Sequence, residues 1–286
     1  MKLKKIIKSL LLVALFTSLY FFCESKTQGF RLYQILSNLP NDPRFEVPYQ
    51  DVTEVNKKLD QSFTFLGSGG WCYAFLGEDQ TTVLKFYKHT HLKLPTLIKE
   101  CCWSKLLFKS PLWPKEKSYP QELNFNSCIL LLTQAKERTG LLYVHLNKTQ
   151  GLHNEVTLID PIGVKHTIDL DTTEFVVQTK AELILPHLNA LMQKGEIKTA
   201  KVCIDEIIAC LHEFNKQGIR DLDLSFRNNF GYINNKAIAL DLSSFVLDPT
   251  PQEIRTKTKR LEHFLKKYHP ELHAYYQERI QQVEPL

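Results

Sequence analysis

The chain has 286 residues, of which 43% are hydrophobic and 23% are charged, and its net charge is +5. This composition is typical of a folded globular protein with one large or two small domains, and it excludes an intrinsically disordered chain. A nucleic-acid-binding protein needs a clustered basic face on its folded part. The one candidate, residues 255–267 (RTKTKRLEHFLKK), is typical of the solvated side of a helix. We therefore expect no nucleic-acid partner.

The N-terminal segment combines a basic start with an apolar run. Lys2, Lys4, Lys5 and Lys8 lead into residues 9–23, SLLLVALFTSLYFFC, which carry no charge. This order is typical of a signal peptide or signal anchor, and the run is shorter than a full membrane span of about 20 residues. The lack of an A-x-A-like cleavage site favours retention as an anchor. We predict that this leader associates with a membrane and that the body lies across it.

The next part of the chain is rich in predicted strands. Residues 27–60 are mixed and polar, which predicts a linker or approach segment. Residues 62–88 have the aromatic and β-branched composition of strands, interrupted by glycines at positions 67, 69 and 70. We predict three antiparallel strands, at about 62–67, 71–77 and 81–87.

Helices and strands alternate through the middle of the chain before a helical end. Helical patterns are predicted over 95–108 and 122–138, on either side of a proline-rich loop. Further strands are predicted at 141–146, 155–160, 164–170 and 174–181. Helices follow at 182–194 and 196–217, and the second carries an apolar stripe that ends at Gly218. One or two charged helices are expected up to about residue 283.

The seven cysteines show no C-x-x-C motif and no zinc-site spacing. Cys128, Cys203 and Cys210 lie in helical apolar patterns, which predicts buried free thiols. For the adjacent pair Cys101 and Cys102, a disulfide with a distant partner is an open alternative. The H-x-H at positions 89 and 91 has no further metal ligands nearby.

A polar stretch after the long helix carries the chemistry. In residues 220–242, RDLDLSFRNNFGYINNKAIALDL, Asp223 is followed five residues later by Asn228, and Asp241 comes thirteen residues after that. Carboxylate and amide oxygens can bind magnesium, although Asp and Asn are also favoured in turns. A glycine cluster and a strand lysine, Lys85 in TVLKF, precede this stretch along the chain.

In this order of motifs, residues 62–245 resemble the protein-kinase-like superfamily, which includes protein kinases, aminoglycoside phosphotransferases and lipopolysaccharide-core sugar kinases. The resemblance implies an α+β, two-lobed fold after a leader over 1–26, with an antiparallel β N-lobe over 61–181 and a reduced helical C-lobe over 182–286. It also implies ATP and magnesium as cofactors and a protein, sugar or other small molecule as the acceptor.

The resemblance assigns roles in the polar stretch. Asp223 would orient or deprotonate the acceptor, and Asn228 and Asp241 would hold magnesium. Asn229 is a rival to Asn228 as the metal ligand.

Further roles fall in the strand-rich half. Lys85 would contact the α- and β-phosphates, and Gly67 and Gly69 would let the backbone approach them. For the carboxylate that pairs with the lysine, the helix-opening Glu122 is favoured over Glu100.

Several positions depart from the pattern of protein kinases. Asp221 stands where a histidine is usual, Ser225 replaces a lysine, Ser243 replaces the glycine after the metal aspartate, and Cys72 replaces the third loop glycine. Three hypotheses follow. The chain is an active atypical kinase, an inactive pseudokinase that serves as a membrane-tethered scaffold, or a membrane-anchored interaction protein whose motifs are coincidental.

Overall fold

The computed structural model describes residues 2–48, 50–89 and 121–284. The chain divides into two units, the first formed by Met1–Asn41, Asp51–Glu116 and Asn147–Phe175 and the second by Asp42–Gln50, Lys117–Leu146 and Val176–Leu286. The helix predicted over 95–108, the proline-rich loop, Glu100, His91 and the Cys101–Cys102 pair lie outside the described residues.

Helices and strands follow the predicted order closely. The helices are α1 (Lys2–Thr27), α2 (Val52–Leu59), α3 (Gln121–Gln134), α4 (Ile184–Gln193), α5 (Ile197–Lys216), α6 (Ile254–Tyr268) and α7 (Pro270–Val283). The strands are β1 (Ser62–Ser68), β2 (Cys72–Gly77), β3 (Thr82–Tyr87), β4 (Leu141–His145), β5 (Glu155–Ile159), β6 (Lys165–Asp169), β7 (Phe175–Thr179), β8 (Glu182–Leu183), β9 (Ile219–Asp221), β10 (Phe230–Ile233), β11 (Lys236–Ala239) and β12 (Phe245–Leu247).

Helix α1 presents its apolar side chains to the surroundings. Its segment Leu10–Thr27 is long and apolar enough to span a membrane, and none of that segment is buried. Phe16 and Phe21, for example, are exposed. A helix with these properties fits either a membrane span or a signal sequence.

The segment after α1 is packed, although its sequence predicts a linker. Phe30 is buried, and its ring lies 5.1 Å from that of Tyr73 and 5.7 Å from that of Phe75. The hydroxyl of Tyr73 donates to the carbonyl of Gly29 at 2.7 Å, and burial raises the pKa of this phenol to about 12. Farther along, Val55 on α2 is also buried. Isolated apolar residues therefore fix the parts of this segment around Phe30 and α2 within the first unit.

The strands of the first unit form a mixed arrangement. In order, β3, β2, β1, β5 and β6 are hydrogen-bonded neighbours. The three predicted strands β1, β2 and β3 are antiparallel, as expected, whereas β1 pairs with β5 in parallel. Their core is aromatic and includes the fully buried Phe63, Phe75 and Phe86.

The long helix α5 forms the core of the second unit. Its buried side chains are Ala200, Cys203, Ile204, Ile207, Ile208, Cys210, Leu211 and Phe214, which confirms the predicted stripe. Gly218 has φ +66°, the left-handed conformation that commonly ends a helix. Cys128, Cys203 and Cys210 are buried, as predicted, and the last two are free thiols whose pKa burial raises to about 12.

Helices α6 and α7 close the second unit as a pair. Buried Thr258 on α6 and Tyr276 on α7 share a hydrogen bond of 2.6 Å between their hydroxyls. The carboxylate of Glu284, just past α7, accepts the backbone N–H groups of Ile254 and of Arg255 at the first turn of α6. An anion at this position neutralises the positive end of the helix dipole.

The second half of the polar stretch of residues 220–242 forms the hairpin β10–β11. Its two turn residues, Asn234 and Asn235, have φ +47° and +62°, the left-handed pair that a type I′ hairpin turn requires. Phe230 pairs with Ala239, and β10 pairs on its other side with the short strand β8. Strands near the N-terminus and a helical C-terminal part give the predicted α+β fold class.

We expect Gly231→Ala to destabilise the second unit by about 1–3 kcal/mol, because overpacking of a filled interior costs this much. A Cβ atom at Gly231 would lie 2.7 Å from the Cβ of Ala181 and 2.9 Å from Cδ1 of Leu240. The shift in the urea midpoint measures the loss. Gly70→Ala is the control, since its Cβ would meet nothing within 4 Å. Equal midpoints for the two variants would contradict the packing described.

Candidate functional site

The loop between β9 and β10 is held by a buried carboxylate. Asp221 is 3% exposed. One of its oxygens accepts the backbone N–H of Asp223 at 3.0 Å and the hydroxyl of Ser244 at 2.5 Å. Its other oxygen forms an ion pair with Lys257. Burial raises the pKa of the Asp221 carboxyl, and Lys257 and Ser244 act in the opposite direction.

Lys257 reaches this loop from α6, and its side chain is fully buried. Besides Asp221, its ammonium group donates to the carbonyl of Asp223 and, at 3.2 Å, to that of Ser225. The ring of Phe230 lies 5.2 Å from the same nitrogen. Three oxygen acceptors and an aromatic face thus replace the water that this cation loses on burial. The lysine fixes the backbone on both sides of Leu224.

Asp223 is oriented by hydrogen bonds to both of its carboxylate oxygens. Oδ1 accepts the backbone N–H of Ser225 at 2.9 Å, and Oδ2 accepts the side-chain amide of Asn229 at 2.9 Å. Asp223 is half-buried and Asn229 is buried, whereas Asn228 is exposed. The structure therefore brings together Asp223 and Asn229, the rival of the predicted Asn228.

Asp241 lies at the same end of the β10–β11 hairpin as the two asparagines. Beyond the pair of Phe230 and Ala239, the N–H of Leu240 donates to the carbonyl of Asn229 at 2.7 Å. Because β11 continues directly into Asp241, this residue follows the hairpin register to the end where Asn228 lies. Oδ1 of Asp241 accepts the N–H and the hydroxyl of Ser243 at 3.1 and 2.7 Å.

Glu122 begins α3 and has a partner in its own unit. Its carboxylate lies 2.9 Å from the guanidinium of Arg44, and both side chains are more than half exposed. An exposed pair of this kind contributes little to stability. The pairing of Glu122 with Lys85 stays a prediction.

In the first unit, the glycine cluster forms the β1–β2 hairpin. A Cβ atom at Gly67 would meet nothing within 4 Å, and one at Gly69 would come only within 3.6 Å of the Cys72 carbonyl. Neither glycine has a left-handed φ. Neither local packing nor backbone conformation therefore requires glycine here, and an approaching group would find open space.

Two lysines accompany this hairpin on or after β3. Lys85 lies in mid-strand, opposite Ala74 of β2. Lys88, which the sequence did not single out, donates to the hydroxyl of Ser68 at 2.8 Å and to the carbonyl of Gly69 at 2.5 Å. Its ammonium group also lies 4.4 Å from the ring centre of Tyr73. Lys88 therefore holds the glycine turn.

Sequence reasoning also missed Lys257, although a signal was present. It sits in the basic run that predicts a solvated face. Its position relative to the buried Ile254, Leu261 and Leu265 nevertheless places it on the apolar stripe of the helix. A lysine on such a stripe requires buried acceptors.

Comparison with known proteins gave structural neighbours only. No family model and no curated protein matches the chain. A structure of the bifunctional kinase-methyltransferase WbdD is similar over 80% of this chain, with 17% identity and a TM-score of 0.33. A co-crystal structure of WbdD with the kinase inhibitor LY294002 is similar over 72%, with 16% identity and a TM-score of 0.33. The chain spans 37% and 38% of these chains.

We expect Lys257→Met to destabilise the protein by about 3–5 kcal/mol, because it leaves the Asp221 carboxylate buried without its cation. Adding Asp221→Asn removes that charge. The double variant should therefore lose less stability than the two single changes together, and urea unfolding of all four proteins gives the coupling energy. Strictly additive losses would show that the two side chains do not interact.

Proposed function

We propose that the chain is an atypical kinase-like phosphotransferase that uses ATP and magnesium. The observation that carries this proposal is the loop of residues 221–229. Asp223 is held there between the N–H of Ser225 and the amide of Asn229, each at 2.9 Å. The order of the motifs along the chain supports the same function. A turn that only joined a helix to a hairpin would not need a buried lysine to fix its carbonyls.

Asp223 is proposed as the residue that binds and deprotonates the acceptor hydroxyl. Among the described residues, each oxygen of its carboxylate accepts one hydrogen bond, which leaves lone pairs for a further donor. A substrate hydroxyl could donate to this carboxylate and lose its proton to it. The fixed backbone keeps the carboxylate oriented, which lowers the entropy cost of placing the hydroxyl.

Asp241 and the neighbouring asparagines are proposed to hold magnesium. Magnesium in nucleotide sites takes one or two protein oxygens together with phosphate oxygens and water. Oδ2 of Asp241 accepts no hydrogen bond within the described part of the chain. Oδ1 of Asn228 or of Asn229 would be the second protein ligand. This donor set of hard oxygens fits the ion.

ATP, when bound, would supply the phosphoryl group. The acceptor oxygen would bond to the γ-phosphorus as the bond to the leaving ADP breaks, and Asp223 would take the hydroxyl proton. Gly67 and Gly69 are proposed to let the backbone approach the phosphates, since local packing does not explain why either position lacks a side chain. Lys85 is proposed as the cation on the α- and β-phosphates and Glu122 as its carboxylate partner. These roles follow from the resemblance.

A membrane is the proposed location of this activity. Helix α1 is long and apolar enough to act as an anchor, and its side chains are exposed. Retention of the helix would tether the enzyme to the membrane. Cleavage would release it.

A scaffold without catalysis is the second candidate, and one observation favours it. Ser243, which stands where protein kinases have a glycine, donates two hydrogen bonds to Oδ1 of Asp241. This carboxylate is thus partly satisfied within the chain, which weakens the requirement for a metal ion. A pseudokinase would keep the fold and bind partners beside the membrane.

Nucleotide binding can be measured by a thermal-shift titration with ATP, with and without magnesium. At 100 times the Kd the folded state should gain about 2.7 kcal/mol, and the shift should require magnesium. Asp241→Asn should abolish the metal-dependent part. Asp60→Asn is the control, since Asp60 is an exposed carboxylate outside the motif. No shift with any nucleotide would favour the scaffold.

Turnover can be separated from binding with Asp223→Asn. This change keeps the size of the side chain but removes the proton acceptor, so kcat for phosphate transfer should fall by about 10²–10⁴-fold while ATP affinity stays within about twofold. Nucleotide hydrolysis or transfer to candidate acceptors is followed by ADP release. An unchanged kcat would exclude Asp223 as the base.

A further inference from the structure

A cleft of about 710 Å³ opens beside the loop of residues 221–229, entirely within the second unit. Its lining comes from β8, α4, the loop and α6, and consists of Leu183, Leu185, Pro186, Asn189, Arg227, Asn228, Arg260, His263, Phe264, Lys267 and Tyr268. This volume lies in the range of small-molecule sites.

The charged side chains that line this cleft are all basic. Arg227, Arg260 and Lys267 bring three permanent positive charges, and among the described residues no aspartate or glutamate lines the cleft. None of the three forms an ion pair with any residue that the structure describes. All three side chains are exposed, and the Lys267 ammonium group lies 4.9 Å from the ring centre of Tyr268. Three like charges around one cavity favour the approach of an anion.

The cleft is continuous with the proposed catalytic loop through α6. Lys257, Arg260, Phe264 and Lys267 are spaced three, four and three residues apart and therefore share one helix face. The first of them fixes the carbonyl of Asp223, and the others line the cleft. From the loop side, Asn228 lines the cleft and is next to Asn229, the partner of Asp223.

The chemistry of the lining defines the ligand. Arginine guanidinium groups bind phosphate, sulfate or carboxylate through paired hydrogen bonds. The rings of Phe264 and Tyr268, 5.4 Å apart, offer an apolar surface on which the C–H face of a sugar or polyol can pack. Asn189 and Asn228 add polar groups for hydroxyls.

We infer that this cleft binds the acceptor, and that the acceptor is a sugar or polyol that already carries phosphate or a similar anionic group. That the ligand is the acceptor rests on the proposed function. That the cleft binds an anion follows from its lining residues alone. It also gives a role to the basic run of residues 255–267, which the sequence predicts to be a solvated face.

Binding to the full-length protein is measured by isothermal titration calorimetry without nucleotide, with inositol hexakisphosphate as the anionic probe and myo-inositol as the neutral one. The test variant is Arg260→Glu/Lys267→Glu. The matched control is Lys259→Glu/Lys266→Glu, which makes the same charge changes at the same spacing on exposed residues of α6 outside the cleft.

We expect saturable, salt-sensitive binding of inositol hexakisphosphate, no binding of myo-inositol, and at least about tenfold weaker binding in the test variant, since two charge-assisted contacts are reversed. The control should stay within about twofold. Equal weakening of both variants would overturn the inference, because it would reflect net charge alone. The absence of saturable binding to the unmodified protein would overturn it as well.

Vesicles distinguish a lipid headgroup from a soluble acceptor. Helix α1 is the same in both variants, so a cleft-dependent difference on phosphatidylglycerol vesicles that is absent on phosphatidylcholine vesicles would identify an anionic headgroup as the source of the ligand. Tighter, cleft-dependent binding of a short single-stranded RNA would instead overturn the small-anion assignment. Failure of the ATP titration alone would overturn the kinase proposal and leave the anion site standing.

Discussion

The ion pair between Lys257 and Asp221 is the interaction on which the candidate site depends. Burying either charge alone costs several kcal/mol, and two charges in poor geometry would still be unfavourable. Here the cation has three oxygen acceptors and the carboxylate has two further donors, the N–H of Asp223 and the hydroxyl of Ser244. The pair therefore restrains the conformation of the loop, because these contacts form together only when the carbonyls of Asp223 and Ser225 face the ammonium group.

This arrangement changes the meaning of the departures from the kinase pattern. In the protein-kinase pattern that the sequence resembles, a histidine is usual at position 221, whereas Asp221 supports the loop by accepting the N–H of Asp223 and binding a lysine from α6. Ser243 stands where that pattern has a glycine, and it orients Asp241 through two hydrogen bonds. Both residues thus make contacts of their own. They are compatible with an active enzyme and with a stable scaffold alike.

Short-range patterns carried most of what could be predicted from the sequence. The β1–β3 strands, the stripe on α5 and the closing Gly218 follow from local periodicity and turn chemistry. The choice between Asn228 and Asn229 did not, because both fit the spacing and only the hairpin register turns Asn229 to Asp223. Lys257 was hidden for a related reason. Its place on the apolar stripe of α6 could indicate burial, but its partners lie more than thirty residues away in sequence, so only tertiary packing shows which groups it binds.

The contact of Glu284 with α6 connects the far end of the described chain to the proposed chemistry. Its carboxylate holds the N–H groups of Ile254 and Arg255, and Lys257 follows within the same turn of helix. A change in the position or charge of Glu284 would loosen that first turn and shift the lysine that sets the loop. Glu284, which lies just past α7, is thus connected to the loop of residues 221–229 through the first turn of α6 and the ammonium group of Lys257.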